Sequence, residues 1–279
     1  MQPNFEKGHM HEDLVSVIMP TFNCSKHLAD SIDSILNQTY KNVELIITDD
    51  NSTDEKTLSL LHHYIEKDKR VDVLFLDSNK GPGYTRDKSI ERARGRYIAF
   101  CDSDDCWFKD KLERQIRFLT ERQCALTYSS YILIDDDGRE VGFNTAPAYM
   151  TFNKLKCDNK IGCSTAIYDI KMLGKKYFMP HIRKRQDWGL FLTIMRDYQK
   201  KVYAIQEPLV YYRMRSQSVS SNKFGLIKYN IRIYREVLGF SKLKSLFYFF
   251  FIFMPTYLVK IAKRGIDSFI FLHKKKTSA

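Results

Sequence analysis

The residues with the clearest chemical potential are Asp102-Ser103-Asp104-Asp105, which follow directly on the apolar run YIAFC at 97–101. In an extended chain residues i and i+2 project to the same side, so Asp102 and Asp104 present their carboxylates to one region at the carboxyl end of a strand. Ligands of open α/β sheets bind at that edge. Converging carboxylates repel one another unless a cation lies between them, and an all-oxygen donor set selects a hard ion such as Mg²⁺ or Mn²⁺. Two protein ligands leave most of an octahedral sphere to water and to a substrate diphosphate. The competing reading is a solvated turn or helix cap, and the apolar strand in front of the cluster weighs against it. Asp105 reads as supporting structure or as a helix start.

Other chemistries have no pattern to rest on. The six cysteines (Cys24, Cys101, Cys106, Cys124, Cys157 and Cys163) form no C-x-x-C pair and no regular spacing, so they read as reduced thiols of a cytosolic protein. There is no G-x-x-x-x-G-K-[ST], no G-x-G-x-x-G and no H-E-x-x-H. The opening MQPNFEKGHMHEDLVSV lacks the basic-then-apolar order of a secretory signal, which predicts an intracellular protein.

A carboxylate pair of this kind needs a rigid sheet behind it, and the first half of the chain supplies one. LVSVIM (14–19), VELIIT (43–48), VDVLFL (71–76) and YIAFC read as strands, three of them too continuously apolar to be half-exposed. Between them lie helical spacings: Leu28, Ile32, Ile35 and Leu36, then Leu58, Leu61 and Ile65 after a cap at Ser52, Thr53 or Asp54. Pro82-Gly83 opens a third helix running to about Arg94, with Gly95 closing it. This alternation predicts an α/β fold with a doubly wound, mainly parallel sheet. From Ala125 the pattern is more mixed: ALTYSSYILI, the turn DDDG at 135–138 and REVGF form a hairpin. A helix follows at Asp187 (DWGLFLTIMRDY), then two strand-like pieces, KVYAIQ and LVYYRM.

The net charge of +12 is concentrated in the tail, where residues 223–279 hold 12 Lys/Arg and 2 Asp/Glu. A nucleic-acid-binding protein would spread basic and aromatic residues over a compact fold, so that reading is disfavoured. Ser245–Val259 (SLFYFFFIFMPTYLV) carries no charge over 15 residues and is bracketed by Lys242, Lys244, Lys260, Lys263 and Arg264. A helix of that length reaches about 22 Å, short of the ~30 Å hydrocarbon core, and Pro255 would kink it. The segment reads first as lying in the interface of an anionic membrane surface, its lysines held to headgroups. The other readings are a helix packed on the domain or on a second subunit, which would make a homodimer through the tail, and a single span.

The motifs VSVIMPTFN (15–23), ELIITDDNSTD (44–54), GPGYTRDKSI (81–90), GRYIAFCDSDDCW (95–107) and QDW (186–188) come in an order and at spacings that resemble the family-two inverting glycosyltransferases, over roughly residues 14 to 215. The resemblance implies the GT-A fold, with 14–124 a nucleotide-sugar-binding half and 125–222 an acceptor-binding half of mixed structure; outside it, 1–13 reads as an N-terminal extension and 223–279, from its composition, as a basic, aromatic membrane-associating tail. It implies a UDP-sugar donor and Mn²⁺ or Mg²⁺. Pro20 and Thr21 would end the first strand against the nucleotide, and Asp50 would accept from the uracil N3–H, leaving Asp49, Ser52 and Asp54 to a turn or cap. Asp102 would contact ribose and metal, Asp104 would be the principal metal ligand, and Arg86 would contact the donor. Asp87 stands where many members carry Asn. Asp187 matches the catalytic base, which takes the proton from the acceptor hydroxyl as it attacks C1; Gln186 occupies a place that is acidic in many relatives. A helix cap is the alternative for Asp187, and both roles are compatible. Arg213 and Arg215 would fold over the diphosphate as a lid, or else be solvated loop charges. CSTAIYD (163–169) resembles the acceptor-side strand.

The same resemblance points to bacterial O-antigen or capsule assembly. It implies hexose transfer from a UDP-sugar to a lipid-diphosphate-linked sugar, glucose in β-1,3 linkage being the first choice, by a peripheral enzyme at the cytoplasmic face of the inner membrane. Transfer of galactose or an N-acetylhexosamine is the alternative. Absence of the processive Q-x-x-R-W motif favours addition of one sugar, and PTFN is not the glycine-rich loop of nucleotidyltransferases of the same fold. A non-catalytic nucleotide- or lipid-binding member is disfavoured by the intact Asp50, Asp102, Asp104 and Asp187.

Overall fold

The computed structural model describes residues 11–214 and 223–278. In the first half β1 (His11–Thr21), α1 (Ser25–Leu36), β2 (Val43–Asp49), α2 (Glu55–Lys67), β3 (Val71–Phe75), α3 (Pro82–Arg92) and β4 (Gly95–Phe100) alternate as expected. The four strands pair in parallel in the order β3-β2-β1-β4. Side chains alternate across the sheet, so one strand feeds two cores. Val15, Val17 and Met19 pack with Leu28, Ile32 and Leu61 on one face. Ile18, Ile46, Ile98 and Phe100 pack with Ile90, Trp188 and Phe191 on the other. Each such fully buried aliphatic or aromatic side chain contributes about 1.5–3 kcal/mol.

Two local expectations are corrected. Gly95 does not close α3, which ends at Arg92, but opens β4. A Cβ there would stand 2.4 Å from the Leu14 carbonyl oxygen, so the glycine is required by the close approach of β1. On α2 the buried stripe is Thr57, Leu61 and Tyr64, while Ile65 is exposed. The cap is Asp54, whose carboxylate accepts from the amides of Lys56 and Thr57 at 3.3 Å.

The second half consists of β5 (Cys106–Trp107), α4 (Lys111–Arg122), β6 (Leu126–Ile134), β7 (Glu140–Asn144), β8 (Tyr149–Met150), α5 (Phe152–Cys157), β9 (Ile167–Asp169), α6 (Ile170–Leu173), α7 (Gln186–Tyr198) and β10 (Val202–Arg213). It continues the same sheet as β4-β9-β6-β10-β5, with β9 antiparallel to both neighbours and β10 parallel to β6. The hairpin β6-β7 forms as read. The two pieces expected before residue 215 are one strand, β10, whose register on β6 shifts on either side of Pro208 because proline donates no ladder hydrogen bond. All six cysteines are free thiols.

The tail starts with α8 (Lys223–Arg232) and ends in a continuous helix over 242–278, π-helical at Tyr248–Phe253. Pro255 follows directly on the π turn, and the helix continues through it. Lys242–Lys275 is long and apolar enough, by length and composition, to cross a membrane, a correction to the short segment expected. Yet its inner side is fixed to the domain from end to end. Phe249 and Phe253 are in the core, Phe271 stacks on Phe143 with ring centroids 5.3 Å apart, and Lys275 pairs with Glu140 at 2.7 Å. The outer side of the helix exposes Leu243, Phe247, Phe250, Phe251, Leu258, Val259, Ile266, Phe269 and Ile270. The packed reading and an unpartnered apolar face therefore both hold, on opposite sides.

Candidate active site

Past the end of β4 the chain turns, with the Asp105 amide donating to the Asp102 carbonyl at 3.0 Å. Asp105 is buried and its carboxylate is used internally. It accepts from the Ser164 hydroxyl at 2.5 Å and from the Arg213 amide at 3.0 Å. Burial, together with the neighbouring Asp104 and Asp102, pushes this carboxyl well above the usual range. Asp105 is therefore supporting structure and not a helix start, since α4 opens at Lys111. Ser164 also accepts from the Asp102 amide at 3.1 Å, and its carbonyl takes the Trp107 indole N–H at 3.1 Å. This clamp leaves Asp102 and Asp104 on the partly exposed side of the turn.

Arg86 projects from α3 and is buried, with Nη2 donating to Asp102 Oδ1 at 2.5 Å. Burial opposes its charge, but Asp102, Cys163 and Asp187 around it more than compensate, and its pKa is raised. Asp187, at the start of α7, thus adds to the negative field around the guanidinium, whose hydrogen-bonded carboxylate is Asp102. Asp187 lies in the first helical turn and accepts from Asn159 Nδ2 at 2.8 Å. It is not the helix cap; that position is Arg185, in the left-handed region with φ 69°. Gln186 faces inward, donating to the Arg183 carbonyl at 2.6 Å. A Cβ at Gly83 would stand 2.9 Å from Gln186 Cγ, so α3 and α7 meet closely enough to need glycine. Asp87 accepts from the Met179 amide at 2.7 Å, and burial pushes its carboxyl up to about 6.

Pro20 and Thr21 close β1 in register with Thr48 and Asp49 of β2. Asp49 accepts from the Ser52 amide at 2.8 Å and hydroxyl at 2.5 Å, the turn role read for it. Asp50 is buried, and its oxygens accept from the amides of Lys80 at 2.7 Å and Gly81 at 2.8 Å. It ties β2 to the start of α3, with further lone pairs left on each oxygen.

Residues 16–179 match the family described as Glycosyl transferase family 2. The chain belongs to that family. It is 40% identical over 225 residues to the protein named "Putative teichuronic acid biosynthesis glycosyltransferase TuaG" of Bacillus subtilis (strain 168), covering 80% of this chain and 88% of that one. It is 37% identical over 221 residues to UDP-Glc:alpha-D-GlcNAc-diphosphoundecaprenol beta-1,3-glucosyltransferase WfgD of Escherichia coli, covering 78% and 84% respectively. Among solved structures, S. aureus TarS 1-349 in complex with UDP-GlcNAc superposes with a TM-score of 0.63 at 20% identity, covering 83% of this chain and 69% of TarS. That likeness shows the GT-A-like fold.

Of the expected site residues, Asp102 and Arg86 are paired, Asp104 lies on the same turn as Asp102, Asp187 is held by Asn159 at the start of α7, and Pro20 and Asp50 stand at the ends of β1 and β2. Arg213 departs from both expectations for it. It is neither a lid nor a solvated charge, but a buried residue whose Nε donates to the Asp104 carbonyl at 3.0 Å and Nη1 to the Asp135 carbonyl at 2.9 Å. Arg215 lies outside the described residues. Ser164 and Asn159 were missed: neither belongs to a local pattern, and only the CSTAIYD resemblance touched one of them. As a cation site the donors fit in kind, two half-exposed carboxylates at a strand end; among the described residues no group of three or more His, Cys, Asp or Glu converges. A hard ion held here would keep most of its sphere for substrate and water.

Proposed function

We propose that this glycosyltransferase transfers one hexose, glucose in β-1,3 linkage, with inversion, from a UDP-sugar to a lipid-diphosphate-linked sugar in the assembly of a bacterial surface polysaccharide. The observation that carries the reading is the buried Arg86 paired with Asp102 at 2.5 Å on the turn after β4, with Asp187 at the start of α7 adding to the negative field around the guanidinium. An inverting transfer needs this division. One group must take the acceptor proton, and the charge of the departing diphosphate must be met by a cation, which the remaining carboxylates would hold. Asp187 is the base, oriented by Asn159. Arg86 fixes Asp102, and Asp102 and Asp104 would hold Mn²⁺ or Mg²⁺. Bound there, such an ion supplies Lewis-acid stabilisation of the leaving diphosphate. Asp50 and Pro20 would border the base and ribose of the donor. The names of WfgD and TuaG support the sugar, the lipid-diphosphate acceptor and the pathway class.

The exposed apolar side of the C-terminal helix, flanked by Lys242, Lys244 and Lys263, suits a peripheral seat on an anionic cytoplasmic membrane face. A lipid-linked acceptor presents its reactive sugar at that surface. The test offers the full-length protein a panel of UDP-sugars with Mn²⁺ and an N-acetylglucosamine diphosphate bearing a short alkyl chain. UDP-glucose should be used, Asp187→Asn and Asp104→Ala should each lose about 10²-fold or more in kcat, and a chelator should abolish turnover. Full activity in both variants refutes the mechanism; preference for UDP-galactose or a UDP-N-acetylhexosamine replaces glucose and leaves the mechanism standing.

A further inference from the structure

We infer that Lys260 of the C-terminal helix is a positioning residue for sugar transfer, acting on Asp187 through Asn159. The inference rests on the reading of Asp187 as the base. The segment 155–159 is held by side chains of α7 and of the tail. From α7, the Trp188 indole N–H donates to the Leu155 carbonyl at 2.8 Å. From the tail, the Tyr234 hydroxyl donates to the Lys156 carbonyl at 3.0 Å and the Thr256 hydroxyl to the Cys157 carbonyl at 3.0 Å. Lys260 Nζ completes the row, donating to Asp158 Oδ1 and to the Asn159 carbonyl, both at 2.7 Å.

Asn159 is thereby fixed at three points. Its carbonyl rests on Lys260, its Oδ1 accepts from the Ile161 amide at 3.2 Å, and its Nδ2 donates to Asp187 Oδ2 at 2.8 Å. The Oδ1 bond also fixes which end of the amide faces the carboxylate. Only two hydrogen bonds separate the tail lysine from the base. The arrangement is costly for mere anchorage. Asp158 is 1% exposed and its Oδ2 has no hydrogen-bond partner among the described residues. Burial works against the Lys260 charge, as do Arg185 and Lys160, while Asp158 sustains it. An apolar side chain would dock the helix without burying the Asp158 carboxylate; what the partly exposed lysine adds is a fixed position for Asn159. The outer side of the same helix carries the apolar surface, so the element suited to meet the membrane also sets the geometry of the base.

The test uses the full-length chain in detergent with UDP-glucose, Mn²⁺ and the short-chain acceptor, so that membrane recruitment plays no part. Asn159→Ala removes the bond to Asp187 and leaves the tail contacts. Lys260→Met combined with Asp158→Asn removes the tie without stranding a carboxylate. Both should lower kcat about 10- to 100-fold, the scale of a misplacement near 1 Å, with KM for UDP-glucose and the melting temperature near wild type. Lys260→Arg, which keeps charged donors for both oxygens, should retain most of the rate. Wild-type kcat in the Asn159→Ala protein or in the folded double variant overturns the inference. Asp187→Asn separates the two failures. If it is inactive while the other variants are normal, only the role of Lys260 and Asn159 falls; if it is active, the base assignment falls and this inference with it.

Discussion

Asp87 gives the sharpest quantitative prediction, because its carboxyl is held near 6 by burial while its ordinary value is 3.8. The groups around it are the Met179 amide, His181 and Arg86, which favour the ionised form, and Glu91, which opposes it. Burial outweighs them. The folded state therefore binds the Asp87 proton more tightly than the unfolded chain does. That contribution to stability is complete below about pH 4, is lost as pH rises towards 6 and is absent above. At about 1.4 kcal/mol per unit the shift corresponds to roughly 3 kcal/mol, and residual solvent screening reduces this to about 2 kcal/mol. In Asp87→Asn the amide oxygen still accepts from Met179 and no charge is buried. The variant should be about 2 kcal/mol more stable than wild type at pH 7.5, a rise of about 3–4 °C in melting temperature for a chain of this size. The advantage should vanish near pH 4. Thermal melts at pH 4, 5, 6 and 7.5 decide it. An advantage that is equal at all four values, or no advantage at pH 7.5, would refute burial as the cause.

Gly95→Ala should cost about 2–3 kcal/mol by urea denaturation, because the new methyl meets the Leu14 carbonyl oxygen at 2.4 Å and backbone cannot yield cheaply. Asp105→Ala strands the Ser164 hydroxyl and the Arg213 amide, so about 2–4 kcal/mol of stability should be lost; an unchanged melting curve would show that the clamp is dispensable. Phe250→Asp with Phe251→Asp, both on the exposed side of the tail helix, should reduce sedimentation with anionic vesicles at least tenfold while turnover of the short-chain acceptor stays intact. Vesicle binding equal to wild type would locate the membrane contact elsewhere.

Much of the first half was legible because its signals are local. β-branched runs, a proline-glycine start, an Asp cap and a carboxylate turn each lie within a few residues, and β1 to β4 with the three helices between them formed where those signals fell. The turn at Asp49-Ser52 and the internal role open to Asp105 were readable for the same reason. Arg213 was misread because its strand ends in a polar stretch, YYRMRSQS, that resembles a loop, whereas its burial depends on carbonyls at positions 104 and 135. The tail was misjudged in length because charge spacing was taken as the limit of the helix, and the helix runs on through Lys260, Lys263 and Arg264.

The sequence by itself determined the parallel half of the sheet, the strand end that bears Asp102 and Asp104, and the excess of cations beside an aromatic run. These follow from periodicity and turn chemistry, which act over one element at a time. Only the tertiary structure decided that Arg86 pairs with Asp102, that Asn159 faces Asp187, and that Lys260 reaches back from the tail to hold that segment. Hydrogen-bond partners distant along the chain are chosen by packing, because a buried donor must find an acceptor in whatever element lies against it. The same holds for the C-terminal helix. It is apolar on nearly every side, so its pattern cannot say which side is covered; β7, α5 and the start of α7 decide that by where they stand.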